Sequence, residues 1–188
     1  MAKSITLFIL GHLLLCKLNA AGLETVATLW NETNSVVVAQ KDYEIRTNIY
    51  GITLSSDYWY SEKNSQIFWG SSFGFGFGSA HTSNKNKDIV FQQTYLTALW
   101  LTVIPTVRFK ERKSNFEYGF GLPLIGRLVN YQITTTDTEY PDRIKFLYGL
   151  SGEMLWGLNQ QYNFIQRLIL PIPKDMGAVW MIGLNYQY

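Results

Sequence analysis

Ile144-Lys145-Phe146-Leu147-Tyr148-Gly149-Leu150-Ser151-Gly152-Glu153-Met154-Leu155-Trp156 decides the fold. Ile144, Phe146, Tyr148, Leu150, Met154 and Trp156 fall on one side of a period of two, and Lys145, Leu147, Gly149, Ser151 and Glu153 fall on the other. Successive side chains of a strand point to opposite faces, so this run predicts a strand with one apolar-aromatic face and one mixed face. Phe73-Gly74-Phe75-Gly76-Phe77-Gly78 is stricter still, with Phe on one side and Gly on the other. Such a Phe face meets either lipid or the core of a soluble sandwich, and the glycines would relieve crowding inside a narrow barrel.

The pattern recurs. Phe116, Tyr118, Phe120 and Leu122 alternate with Glu117, Gly119, Gly121 and Pro123. Tyr162, Phe164, Leu168 and Leu170 alternate with Asn163, Ile165, Arg167 and Ile169. Tyr43, Ile45 and Ile49 alternate with Glu44, Arg46 and Asn48. Segments of about ten residues suit a tilted strand crossing a bilayer. Tyr95 to Ile104 is apolar on both faces and reads as a strand against a filled lumen. Leu124 to Ile133 has no clear register. Asn31 to Ser35, Ser61 to Ser65, Glu111 to Asn115, Asn159 to Gln161 and Pro173 to Gly177 read as short polar turns, and His81 to Asp88 and Thr134 to Arg143 as longer loops. The expected fold is all-β, an up-and-down antiparallel transmembrane barrel of about eight strands, or ten.

The composition agrees. Of 188 residues, 47% are hydrophobic and only 16% charged, and aromatics reach 15%. Soluble proteins carry about a quarter charged residues. Tyr and Trp favour membrane interfaces. Lys3, the apolar stretch Ile5 to Leu15 and the small residues Ala20 and Ala21 read as a secretory signal, with the cut after Ala20 or Ala21. That divides the chain into a signal peptide, 1–20, and a barrel domain, 21–188. Cys16 lies inside the signal, which leaves the exported chain no disulfide and no cysteine nucleophile. Lys3 and Lys17 leave too, so 16 basic residues fall to the same number as the 14 acids. A neutral chain lacks the basic footprint of a nucleic-acid binder. With one histidine left and no cysteine, a zinc site is not expected, and no motif implies a cofactor.

At the C-terminus, Trp180, Ile182, Leu184, Tyr186 and the terminal Tyr188 alternate with Met181, Gly183, Asn185 and Gln187. This resembles the closing strand of Gram-negative outer-membrane barrels of the small, OmpA/OmpX-like kind. In that family the last strand ends in an aromatic residue and is read by the barrel assembly machinery. The resemblance implies an outer-membrane location, contact with outer-membrane lipid and that assembly partner, and it specifies no activity. A soluble periplasmic lipid-binding barrel stands as the alternative.

His81-Thr82-Ser83-Asn84 resembles the active-site motif of the outer-membrane lipid A 3-O-deacylases, eight-stranded barrels that cut an ester. The resemblance implies Ser83 as nucleophile, His81 as general base and Asn84 at the oxyanion site. A hydroxyl needs a base, and the base needs an acid to orient it. The sequence departs from the family here: no Glu follows before Glu111, Asp88 is the nearest acid, and the motif comes early in the chain. A polar loop tip accounts for the same residues. Glu44, Arg46, Glu117, Lys145, Glu153 and Arg167 are expected to face the lumen, as a salt-bridged plug or as a selective pore. Both signs are present, which favours pairing. The expected role is a non-enzymatic barrel with a structural task or with surface loops that bind a protein or ligand; the alternatives are the ester hydrolase and the soluble carrier.

Overall fold

A computed structural model describes residues 20–38, 40–61, 65–84, 95–111, 114–131, 138–139, 143–173 and 175–187. Residues 1–19 of the expected signal peptide, Asp88 and Tyr188 lie outside them. The strands are β1 (Ala20–Val38), β2 (Lys41–Tyr60), β3 (Ile67–Asn84), β4 (Tyr95–Lys110), β5 (Phe116–Gly121), β6 (Leu124–Val129), β7 (Thr138–Glu139), β8 (Ile144–Gly157), β9 (Tyr162–Pro171) and β10 (Val179–Gln187).

β5 and β6 are two halves of one stave. Gly121 faces Thr106 and Leu124 faces Val103 on β4. On β8 their partners are Ser151 and Tyr148. The register therefore runs unbroken through Leu122 and Pro123. Proline has no N–H for the ladder, so Pro123 interrupts pairing without shifting it, and the Leu122 N–H still donates to the Pro105 carbonyl at 3.0 Å. β7 pairs only with the end of β1. The ring that remains has eight staves, joined up and down, and β1 closes it against β10 from Gly22↔Gln187 to Leu29↔Trp180. Closure leaves no long free edge to recruit another chain.

Both described ends of the chain meet at one rim, where β2, β4 and β8 end and β3, β5 and β9 begin. At the opposite rim β1, β3, β6 and β9 end and β2, β4, β8 and β10 begin. These are called the terminal rim and the loop rim.

The alternation sorts residues by side. Leu23, Leu29, Ile52, Leu54, Phe73, Phe75, Phe77, Leu101, Phe120, Leu150 and Leu184 point outward and are exposed, as are Leu122 at 65% and Phe146 at 66%. In water such a belt would far exceed the apolar patches of a monomer. A closed barrel with every backbone group paired is what a bilayer requires. Aromatics edge the belt at the terminal rim: Phe116 packs on Trp156 at 5.5 Å, Trp156 on Phe164 at 5.7 Å and Tyr162 on Tyr186 at 5.1 Å. The expectation of a soluble carrier is corrected by this distribution. Such a carrier keeps its apolar face inside around a cavity, whereas here the ions are inside and the apolar rings outside.

β1, β2 and β3 have 19, 20 and 18 residues, well beyond the roughly ten that cross a bilayer. Their surplus lies at the loop rim and changes character. Asn31 and Ser35 on β1, Glu44, Arg46 and Asn48 on β2 and Ser83 on β3 are exposed, while Val36, Ile45, Ile49 and Ala80 are buried inward. This wall sets polar residues outward and packs these apolar ones inward, beside the buried Asn34, Thr47 and Thr82. Asn31 to Ser35 is consequently no turn but continuous strand, paired with β2 throughout. His81 to Asn84 is likewise strand rather than loop.

Candidate functional site

The inward residues form three polar tiers. Nearest the terminal rim, Glu24, Asp57, Arg108, Glu153 and Arg167 share one network. The Arg108 Nε donates to Glu153 Oε1. Arg167 donates from Nε to Glu153 Oε2 at 2.9 Å and from Nη2 to Glu24 Oε1 at 3.1 Å. Ser55 and Ser72 donate to Glu24 Oε2 at 3.2 and 3.1 Å, and Asn185 Nδ2 donates to Asp57 Oδ2 at 2.8 Å. The Arg108 guanidinium lies over the Trp59 ring at 3.8 Å, a favourable placement for a cation on an indole face.

The middle tier is neutral. Trp100 Nε1 donates to Thr53 Oγ1 at 2.8 Å, and Thr53 meets Thr28 at 2.6 Å. The glycines of β3 make room for it: a Cβ on Gly76 would lie 1.9 Å from Trp100 Nε1. Trp30 packs edge-on against Trp100 at 5.1 Å.

The third tier crosses the whole lumen. Glu32 on β1 and Arg127 on β6 stand four staves apart in either direction round the ring. Arg127 grips Glu32 from Nη2 at 2.5 Å and from Nε at 2.8 Å. Trp30 Nε1 donates to Glu32 Oε1 at 3.0 Å. Above it the Tyr131 hydroxyl accepts from Asn34 Nδ2 at 3.2 Å. Buried ion pairs seldom add net stability over apolar packing, yet removing one partner is costly. The tiers therefore fix one arrangement of side chains and fill the bore, which in an eight-stranded barrel is just wide enough for them.

The expected site residues fall in several places. Glu153 and Arg167 lie in the terminal-rim network. Lys145 has inward parity but sits at the loop rim, donating to Asp175 at 2.5 Å. That hydrogen bond holds the Asp175 carboxyl below its ordinary range. Glu117 pairs with Lys110 at 3.0 Å at the terminal rim. Glu44 and Arg46 are a correction: both point outward and are exposed, because their part of β2 stands beyond the lipid belt, where the apolar Ile45 and Ile49 turn inward. His81 and Ser83 share the outer face of β3. The residues paired with His81 are Asn48 and Tyr95, and Ser83 pairs with Arg46, so no carboxylate stands opposite either. Asn84 ends β3. Among the described residues, β3 thus sets a hydroxyl and an imidazole on one face, and a hydrolytic triad needs an acid to orient that imidazole as well. Among the described residues, no group of three or more His, Cys, Asp or Glu is placed to hold a metal ion.

Five network members, Glu24, Glu32, Asp57, Arg108 and Arg127, were not foreseen from the sequence. Parity would have found Arg127, since Pro123 does not shift the register from Gly119 and Gly121. Glu24 and Glu32 alternate with Leu23, Thr25, Ala27 and Leu29, a signal obscured by the polar run Asn31 to Ser35.

No family model matches the sequence, and no curated protein matches it. Solved structures do resemble the fold. Ail, the attachment invasion locus protein of Yersinia pestis, solved with the heparin analogue sucrose octasulfate, is 12% identical with a TM-score of 0.43, over 89% of this chain and 99% of that one. Ail in a phospholipid nanodisc gives 13% and 0.46, over 88% and 100%. Neisserial surface protein A gives 7% and 0.42, over 90% and 97%. Likenesses this distant carry no weight about activity or ligand.

Proposed function

We propose that this protein is a closed outer-membrane barrel, exported by the signal in residues 1–20 and inserted through recognition of the strand that ends at Tyr188. It neither conducts nor catalyses, and its work is binding on the loop side, through the outer face of the β1–β3 wall and the connections 85–94 and 130–143. The observation that carries this reading is the Glu32–Arg127 pair, which spans the bore between opposite staves beneath a wall that is polar outside and packed inside. A pore would leave that bore open, and a lipid carrier would line it with apolar groups.

The test uses urea-washed envelopes and intact cells. The folded protein should stay with the washed membranes and migrate differently on cold SDS gels before and after boiling. Trypsin added to intact cells should cut near Lys85 or Lys87, leaving the barrel folded. Purified protein in planar bilayers should give no conductance steps. Recovery in the soluble fraction, or stepwise conductance, overturns the reading.

A further inference from the structure

The network at the terminal rim is out of balance. Among the described residues, Glu24, Asp57 and Glu153 face two cations, Arg108 and Arg167, and all five are at most 3% exposed. The remaining polar groups turned to them, Ser55 and Trp59 from β2, Ser72 from β3 and Asn185 from β10, are neutral. An uncompensated ion at this depth is strongly unfavourable.

The donors show which acid is the odd one. Glu24 receives Arg167, Ser55 and Ser72 across both oxygens. Glu153 receives Arg108 on one oxygen and Arg167 on the other. Both have the surroundings of an ionised carboxylate. Asp57 differs. Its Oδ2 accepts from Asn185 alone, and the Arg108 Nη2 stands off at 3.6 Å. Its Oδ1 is fully buried with no hydrogen-bond donor among the described residues. Asp57 faces Gly22 on β1, two residues from Glu24, so the two buried acids are diagonal neighbours on the inner face of one strand pair. Two carboxyls side by side at this depth do not both ionise readily.

We propose that Asp57 is a proton-binding site, a carboxylic acid kept neutral at neutral pH with its hydroxyl donating to Glu24. One proton closes the network as two carboxylates against two guanidiniums. This deepens the closed-barrel reading and rests on it.

The experiment takes full-length barrel refolded in lipid nanodiscs, carrying a carbon-13 label on aspartate side chains. At pH 7 the infrared spectrum should show one labelled carboxylic-acid C=O stretch, resolved from the ionised carboxylates, and Asp57→Asn should abolish it. Asn reproduces the shape of the acid and offers a donor to Glu24, so the temperature of the boiling-dependent gel shift should stay at the wild-type value. Glu153→Gln, which strips both arginines of a counter-ion, should lower it. A wild-type spectrum without the acid band, a band that survives Asp57→Asn, or a transition in Asp57→Asn as low as in Glu153→Gln overturns the assignment. The same protein is also recorded in planar bilayers, so an open barrel, which defeats the closed-barrel reading, is distinguished from a missing proton.

Discussion

At the residue scale, the Phe-Gly alternation of β3 serves two solvents. Its phenyl rings meet the outside, and its glycines leave the inside free for one large side chain from β4. Because a Cβ on Gly76 would lie 2.0 Å from Trp100 Cε2, Gly76→Val should cost about 1–3 kcal/mol, the usual range for overpacking. The double variant with Trp100→Ala should recover part of that loss, read as the temperature of the gel shift. A Gly76→Val barrel as stable as wild type would show that the indole has room to move. Ser83 has Arg46 opposite, and the ladder partners of His81 are Asn48 and Tyr95, so lipid A from cells expressing wild type should match that from cells expressing Ser83→Ala in mass spectra. A mass loss seen with wild type only would restore the hydrolase. Lys145 and Asp175 give a pH effect of known sign. The folded Asp175 carboxyl sits below its unfolded value of roughly 3.9. Its stabilisation is therefore full above that value and lost as pH falls through the lower folded one. Asp175→Asn should be slightly less stable than wild type at neutral pH, and the gap should close below about pH 4. The effect is small because the carboxylate is half exposed and screened. A gap that widens in acid would contradict the bridge.

At the scale of the element, β2 passes from one environment to another without a bulge. Its odd residues face inward along the described strand, but what they are changes from Asp57, Ser55 and Thr53 to Ile49, Thr47 and Ile45. Within the membrane the polar residues hide from lipid, and beyond it the apolar residues hide from water. Ile45→Asp should consequently destabilise the barrel strongly, by several kcal/mol if the carboxylate stays buried, whereas Arg46→Ala one position away should change stability by no more than about 0.5 kcal/mol. Heat-shift temperatures of the two variants decide it; equal losses would mean that the wall does not invert. The same inversion limits what the sequence discloses. β5, β8, β9 and β10 are legible because aromatic and aliphatic residues together dominate their lipid face, and Glu153 and Arg167 follow by parity. Parity places Glu44 and Arg46 in the lumen because polar means inward within the belt, and past the belt that rule reverses. Nothing in a period of two marks the height at which lipid ends. Asp57 and Arg108 were hidden for another reason. Asp57 is the one ion between Asn48 and Tyr60, and Arg108 follows a long uncharged run from Tyr95 to Val107; the significance of each comes from partners on other staves that only closure of the ring brings near.

For the whole molecule, closure is what turns scattered ions into a plug. β1 and β6 are remote in sequence, yet the ring sets Glu32 and Arg127 against each other across the bore. Because Arg127 supplies several of the donors to Glu32, Arg127→Ala should cost about 3–5 kcal/mol, the range for a buried ion left alone; among the described residues, Trp30 Nε1 then remains as a donor. The double variant Glu32→Gln, Arg127→Met removes both charges and keeps much of the volume. It should recover most of that stability, since a buried pair replaced by matched neutral groups is often nearly neutral. If the pair were also the only barrier to ions, the double variant would conduct. It should not, because Thr28, Thr53 and Trp100 block the bore in the middle tier and the arginine network blocks it again at the terminal rim. Planar-bilayer recordings of wild type and double variant should both be silent. Silence with restored stability makes the pair a structural latch within a bore sealed at several levels, while conductance in the double variant alone would make Glu32–Arg127 a gate and the protein a channel that this bridge holds shut.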